Sequence, residues 1–256
     1  MEKISSKNNP LAIHYRKLGT SSNYREKSGE FLCEGEKLLL DALDSDIEVS
    51  SILTASHVEV PLSVDTKVYY CEQKLIDSIS TLTTAQETLF ACKSRTMEPR
   101  NFLTGVHLLL DEVQDPGNVG TIMRTANAFG IESIILTKGC ADPYNPKTIR
   151  ASMGAIFRQD FYVKSFEELQ DMESSGATFL GAVLEDTNMN IGEIGGFESI
   201  IVIGNESRGI SSEILSLCKK RVNIPISPSS DSLNAAIAAA IIIWEAAGRI
   251  GNREEE

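Results

Sequence analysis

Apolar positions along the chain fall into two regimes. Before residue 98 they come in short mixed runs. Leu11, Tyr15 and Leu18 recur at helical spacing after Asn9-Pro10 and stop at Gly19, which predicts an amphipathic helix. Phe31 to Leu43 predicts a second, with Leu38, Leu39 and Ala42 facing inward. Strands are expected at 51–54, 67–71 and 89–93, and a helix at 72–80. The stretch KSRTMEPRNFLT, residues 93–104, is polar, contains Pro99 and has no period, so it marks a domain boundary. From Gly105 the pattern becomes a regular alternation. Runs rich in Ile, Val and Leu at 106–110, 133–136, 161–163, 178–183, 199–203 and 221–224 are separated by helical segments, with helices expected through Phe129 and at 147–153, 166–173, 211–218 and 233–249. Such a pattern builds a parallel sheet with helices on both faces. The predicted fold is α/β, with a small α/β domain at 1–98 and a parallel-sheet domain at 105–256.

The last predicted helix stands apart. Leu233, Ile237, Ala240, Ile241, Trp244 and Gly248 form one stripe, and the opposite side is largely Ala and Ile. A helix apolar nearly all round must be covered on both sides, by the core and by a second subunit, or else thread the core alone. Its many Ala residues permit close approach and favour a homodimer.

Composition narrows the class. Of the 256 residues, 42% are hydrophobic and 23% charged, as in an ordinary folded protein, and disorder or a disulfide scaffold is excluded. The five cysteines (Cys33, Cys71, Cys92, Cys140, Cys218) are scattered, with no C-x-x-C pair and no signal peptide ahead of them, so reduced thiols and a cytoplasmic location are expected. The longest apolar run, Ala235 to Trp244, is about half of a membrane span. The net charge of −12 argues against indiscriminate nucleic-acid binding. Its distribution matters more than its sum. Lys3, Lys7, Arg16, Lys17, Arg25 and Lys27 against Glu2 and Glu26 give residues 1–27 a local +4, compatible with RNA contact at one place or with a plain solvated helix.

Three segments carry candidate chemistry. In LLLDEVQDPGNVGTIMRTANAFG (108–130) a strand runs through Asp115-Pro116-Gly117-Asn118 into a helix, placing backbone N–H groups at the carboxyl edge of the sheet, where α/β proteins bind phosphates and nucleotides. An ordinary turn served by Gly117 and Gly120 is the alternative. A dinucleotide site is disfavoured, since the spacing is G-x-x-G and the second strand ends in Thr137-Lys138 with no acid for a ribose diol. Arg124 is read as lying in the first turns of this helix, where the dipole disfavours a cation unless it reaches an anion. In IVIGNESRGIS (201–211) a buried strand breaks at Gly204 into Asn205, Glu206 and Arg208, a polar cluster that favours function. In the third, Ile224-Pro225-Ile226 leads through a Ser/Pro/Asp loop to a helix capped by Ser232 or Asp231. His14, His57 and His107 sit in no metal-ligand spacing, and there is no G-x-S-x-G elbow, Walker loop or H-E-x-x-H.

Taken in order, these segments resemble the three signature motifs of the SpoU (TrmH-like) family of RNA 2′-O-ribose methyltransferases, in the SPOUT superfamily. The first motif is similar to Asp115–Gly120 continued by Arg124-Thr125-Ala126 and Phe129-Gly130, the second to Ile203-Gly204-Asn205-Glu206 with Arg208-Gly209, and the third to Ile224-Pro225 with Ser232-Leu233-Asn234; DPYNPKTIRASMGAIF (142–157) resembles the segment between them. The pattern NPLAIHYRKL…REKSGEFLCEGEKLL is similar to the substrate-binding domain often attached to this family, although Ala85-Gln86-Glu87 stands where relatives commonly have Pro-Gln-Gly.

The resemblance implies a SPOUT domain with a C-terminal trefoil knot, S-adenosyl-L-methionine held near Gly204, Ile224, Leu233, Ala182 and Val183, and dimerisation through the knots. It implies catalytic roles for Arg124 at the acceptor and for Asn118, Glu206, Ser232 and Asn234 as hydrogen-bonding partners. Ala236 replaces a second Ser common in relatives. The expected activity is 2′-O-methylation of RNA, with ribosomal RNA favoured by the appended domain, Arg124, Lys147, Arg150 and Arg158 supplying phosphate contacts with the basic arm, and no membrane partner. A tRNA methyltransferase, a non-catalytic RNA-binding or ribosome-assembly protein on the same scaffold, and a nucleotide-cofactor oxidoreductase are the alternatives.

Overall fold

The computed structural model describes residues 2–57, 66–95, 97, 102–184, 187–194, 198–227, 229 and 232–247. Residues 96 and 98–101 of the boundary stretch, Asp231 and the chain beyond Ala247, including Gly248, lie outside the described residues. The chain divides into two units, Met1–Thr96 with Asp142–Arg158, and Met97–Ala141 with Gln159–Glu256.

The first unit opens with the two-residue strand β1 (Glu2–Lys3). Helix α1 (Pro10–Thr20) starts where Asn9 accepts a hydrogen bond from the Leu11 N–H with Pro10 at the first helical position, and it buries Ala12, Tyr15 and Leu18. The Tyr15 hydroxyl, with no exposure, donates to the Ser51 carbonyl at 2.8 Å. Helix α2 (Ser22–Ser28) ends at Gly29, whose φ of +63° is the left-handed conformation glycine takes without penalty. Strand β2 (Glu30–Glu34) and helix α3 (Glu36–Leu43) follow.

The expected helix over 31–43 is therefore half strand. Phe31, Leu32 and Cys33 are all buried, so both faces of this run are covered. Consecutive apolar residues buried on both faces suit a covered strand, here the edge strand β2, as well as a helix start, and period alone does not separate them. The rest of the unit is β3 (Val49–Thr54), β4 (Lys67–Tyr70), α4 (Gln73–Asp77) and β5 (Thr88–Lys93), in a mixed sheet of order β1-β4-β3-β5-β2.

Residues 142–158, expected inside the second domain, belong to the first unit. Their helix α6 (Pro146–Ser152) is capped by Asn145. The Arg25 guanidinium, 5% exposed, donates from Nε to Asp142 Oδ2 at 2.9 Å and from a terminal nitrogen to the same oxygen, and also to the Leu18 carbonyl at 2.6 Å. Phe31 stacks on Tyr144 with ring centroids 4.4 Å apart. A buried cation and an aromatic stack, both contributed from over 100 residues earlier in the chain, outweigh sequence proximity in deciding where this segment packs.

The second unit is a six-stranded, wholly parallel sheet of order β11-β9-β10-β6-β7-β8. Its strands are β6 (Val106–Leu110), β7 (Ser133–Leu136), β8 (Phe161–Val163), β9 (Phe179–Ala182), β10 (Ser199–Ile203) and β11 (Cys218–Val222). Its helices are α5 (Pro116–Ala128), α7 (Phe166–Ser174), α8 (Ser212–Leu217) and α9 (Ala235–Ala247). The chain leaves β6 toward β7 and β8, then returns to the other side through β9 and β10. The β6/β10 boundary is thus a topological switch point, the place where open α/β sheets form a crevice at the strand carboxyl ends. Helix α9 buries Ala235, Ala239, Ile242, Ile243 and Ala246 and leaves Ile237 and Trp244 53% and 61% exposed. His107 is a buried structural residue, hydrogen-bonded to Ser133 at 2.7 Å and to the Thr104 carbonyl at 2.9 Å. Among the described residues, no helix is long and apolar enough to cross a membrane.

Removing Arg25 takes the guanidinium from Asp142 Oδ2 and from the Leu18 carbonyl. Arg25→Ala is expected to cost about 3 kcal/mol, the scale for breaking a buried charge pair from one side. The check is urea denaturation followed by circular dichroism, against Arg16→Ala on the exposed side of α1.

Candidate active site

At the switch point the end of β6 continues as Asp111-Glu112, and the end of β10 as Gly204-Asn205-Glu206. The two strands stay bonded to the last residue, with the Asp111 N–H on the Ile203 carbonyl at 2.8 Å. Asp111 is buried, and its carboxylate accepts from the Ser211 N–H at 2.7 Å and from the Thr137 hydroxyl at 3.4 Å. It therefore anchors both the next strand end and the start of α8.

The loop after β10 is closed on itself. Asn205 and Gly209 exchange backbone hydrogen bonds at 3.0 and 2.9 Å, and the Asn205 side-chain oxygen accepts from the Ser207 and Arg208 N–H groups. The Asn205 amide donates to the Glu112 carbonyl at 2.8 Å. A β-carbon at Gly204 would lie 2.3 Å from the Gly209 carbonyl carbon, so only glycine fits there.

The expected catalytic residues separate into a connected group and two others. Asn118 Nδ2 donates to Glu206 Oε1 at 2.5 Å, and Asn118 Oδ1 accepts from Asn234 Nδ2 at 3.0 Å. The Asn234 oxygen in turn accepts from the Ala236 and Ile237 N–H groups at 2.9 and 3.3 Å. One chain of hydrogen bonds thus joins the end of β10, the start of α5 and the start of α9. Ser232 lies on the wall of the adjoining cavity. Arg124 is exposed and makes no hydrogen bond or ion pair with the described residues.

Three expectations change here. Asn234, not Ser232, caps the last helix, because its side chain is the one placed to reach the free N–H groups one and two residues inside. Arg124 is the ninth residue of α5 rather than in its first turns; the helix-end field falls off within a turn, so the dipole says little about it. The start of α5 is also not an open anion site. Asp115 already accepts from the Gly117 and Asn118 N–H groups at 2.6 and 3.1 Å.

A cavity of about 630 Å³ opens between the 204–210 loop, the end of β9 and the approach to α9. All five positions expected to hold a cofactor (Ala182, Val183, Gly204, Ile224 and Leu233) line it, and Glu206 joins them. The size is that of a small-molecule site, and apolar walls with a few convergent polar groups suit a nucleoside with a polar tail. Leu184, Ile210, Leu215 and Ile226 also line it, and none was singled out by sequence. Their only signal was apolar character, which surface residues share; Leu184, Ile210 and Ile226 lie on loop segments and Leu215 on α8. Asp111 and Glu112 were missed as well, although two acids directly after a buried strand were a usable clue. The nearby thiols are not reactive groups. Burial pushes Cys218 up to about 12 and raises Cys140, whose S–H donates to the Leu110 carbonyl at 3.0 Å.

Because backbone atoms fill the space beside Gly204, Gly204→Ala is expected to displace the loop and cost about 1–3 kcal/mol, read as a lower urea midpoint. Ser207→Ala, on the exposed side of the same loop, is expected to leave it unchanged.

Comparison with known proteins agrees with this geometry. Residues 105–244 match the model of the SpoU rRNA Methylase family, and residues 9–91 match that of the MRM3-like substrate binding domain. The chain is 31% identical over 253 residues to the 23S rRNA (guanosine(2553)-2′-O)-methyltransferase RlmP of Bacillus subtilis, covering 97% of this chain and all of that one. Among solved structures, an rRNA methyltransferase from Sinorhizobium meliloti superposes with a TM-score of 0.85 at 26% identity, over 97% of this chain and 98% of the other. The SpoU methyltransferase AviRb from Streptomyces viridochromogenes, in complex with the cofactor AdoMet, does so at 0.83 and 25% identity, over 95% and 98%. By its motifs, its fold and the full-length match to RlmP, this chain belongs to the SpoU rRNA methylase family.

Proposed function

We propose that this protein transfers a methyl group from S-adenosyl-L-methionine to a ribose 2′-hydroxyl of ribosomal RNA. The observation that carries the reading is the Glu206–Asn118–Asn234 chain of hydrogen bonds beside the 630 Å³ cavity, which unites all three family motifs at one crevice. The cofactor supplies an already activated methyl group. Ala182, Val183, Gly204, Ile224 and Leu233 would hold it. Transfer to the 2′-oxygen would release S-adenosylhomocysteine as the leaving group, with the hydroxyl proton passing to solvent water.

The protein's work is to position the hydroxyl and help its proton depart. Arg124 stands six residues beyond Asn118 on α5, about 9 Å along the axis, and its guanidinium is free of other described partners. We assign it to the phosphate beside the acceptor, aligning the hydroxyl. Deprotonation of the hydroxyl by Arg124 itself is the stronger form of the same assignment. Glu206 and Asn234 hold the Asn118 amide from both ends, so Asn118 presents one orientation to whatever enters the crevice. Ser232 adds a hydroxyl on the cavity wall.

The first unit belongs to the same reading as the RNA-recognition part, consistent with its match to a substrate-binding domain. The exposed Ile237–Trp244 face of α9 supports a homodimer built on that face. Five free cysteines support a cytoplasmic location. The trefoil knot is part of the proposal too, supported by the match of residues 105–244 to the SpoU rRNA Methylase family.

The test supplies methyl-labelled S-adenosyl-L-methionine with unmodified large-subunit rRNA, small-subunit rRNA or tRNA, followed by digestion to nucleosides. Label is expected as a 2′-O-methylnucleoside in rRNA. Arg124→Ala is expected to lower the rate at least about 100-fold while still binding S-adenosylhomocysteine. Label in tRNA alone would redirect the substrate, and cofactor binding without label in RNA or assembled subunits would favour the non-catalytic reading. Trp244→Glu is expected to halve the mass seen by light scattering; an unchanged mass would remove the α9 face from the dimer.

A further inference from the structure

Glu112 sits where few side chains are tolerated. Its φ is +54°, one of two such non-glycine residues among those described, the other being Met153. Backbone held there stores strain and persists only where the surroundings hold it in place. Three contacts do so. The Glu112 N–H donates to the Thr137 hydroxyl at 3.0 Å, its carbonyl accepts from the Asn205 amide at 2.8 Å, and its carboxylate pairs with Arg208 at 2.7 Å. Room for this arrangement is made opposite, since a β-carbon on Gly139 would lie 2.7 Å from the Glu112 Cγ.

Two of those partners, Asn205 and Arg208, line the cavity, and both belong to the loop that begins at Gly204. The Glu112–Arg208 pair is largely in water, at 37% and 64% exposure, so it adds little to global stability. Its geometric effect is on the loop, which is tied to the end of β6 at one backbone point and one ionic point.

We infer that Glu112 is a positioning residue for the cofactor, acting through Asn205 and Arg208 to hold the 204–210 wall in its binding conformation. The inference rests on the methyltransferase reading of the cavity. The ionic half of the tie predicts a salt-sensitive contribution, because exposed pairs are screened.

The experiment measures S-adenosylhomocysteine affinity by calorimetry, steady-state methylation and thermal melting for Glu112→Gln, Glu112→Gly, Arg208→Ala and Glu112→Gln with Arg208→Ala. Glycine tolerates the positive φ and removes the side chain, so it separates the ionic tie from the backbone if the glutamine variant folds poorly. Affinity and the KM for the cofactor are expected to weaken about two- to fivefold in each single variant, the scale of losing one exposed charge pair worth up to about 1 kcal/mol. Maximal rate at saturating cofactor and the melting temperature of the cofactor-free protein are expected to stay near wild type. The double variant should be no weaker than Arg208→Ala alone, and raising salt should bring the wild type toward the variants.

Unchanged affinity in both Glu112 variants, or additive losses in the double variant, would overturn the inference. A fall in melting temperature that tracks the affinity loss would also overturn it, since Glu112 would then serve stability alone. Wild-type protein that binds no S-adenosylhomocysteine would instead refute the methyltransferase reading itself.

Discussion

Strands β6 and β10 lie far apart in sequence yet run in register over five residue pairs, from Val106–Ser199 to Leu110–Ile203. Where they end, two chain segments must leave the sheet within one strand spacing of each other, roughly 5 Å. That crowding decides the local chemistry. Backbone groups beyond the last ladder bonds need partners: the Asn205 amide donates to the Glu112 carbonyl, and the Asp111 carboxylate accepts from the Ser211 N–H. Side chains one or two residues further on then converge without a long reach. Glu206 and Asn118 meet because the loops that carry them start from neighbouring strands.

The hydrogen-bonded chain of Glu206, Asn118 and Asn234 converts that adjacency into specificity. Each amide uses an oxygen and a nitrogen in opposite directions, so neither can turn over without leaving a donor facing a donor. Asn234 does more than one task with one side chain. It caps α9 through its oxygen and reaches Asn118 through its nitrogen, so the start of the last helix and the crevice are set by the same group. A Ser or Asp at that position would also cap a helix, but would not offer an amide donor beyond it.

The two units use different means to hold their parts. In the first, residues 142–158 are fastened by the buried Arg25 and by stacking of Tyr144 on Phe31. In the second, the inner strands of a wholly parallel sheet are buried on both faces, and the hydrogen-bonded chain of the crevice gathers at its carboxyl edge. Among the described residues Arg124 has no hydrogen-bond or ion-pair partner, and the Ile237–Trp244 face of α9 is apolar and exposed.

Much of this was legible in the residues themselves. Val106–Leu110, Ser133–Leu136, Phe161–Val163 and Ser199–Ile203 were expected at the bounds they occupy, because short apolar runs between turn residues leave a parallel strand little freedom in where it begins. The ordered motifs named the residues of the crevice, since their types are dictated by chemistry that does not depend on a neighbour. Only the tertiary structure decided the rest. Phe31–Cys33 became a strand because it found a partner in β5, and a run of apolar residues carries no record of which partner it will meet. Residues 142–158 joined the first unit through Arg25, a pairing across 117 positions that no local pattern encodes. The role of Glu112 likewise depends on a backbone conformation and an ion pair with Arg208 that exist only once β6 and β10 lie side by side. Sequence determines which groups are available and which local forms they favour, whereas long-range packing determines which of them meet.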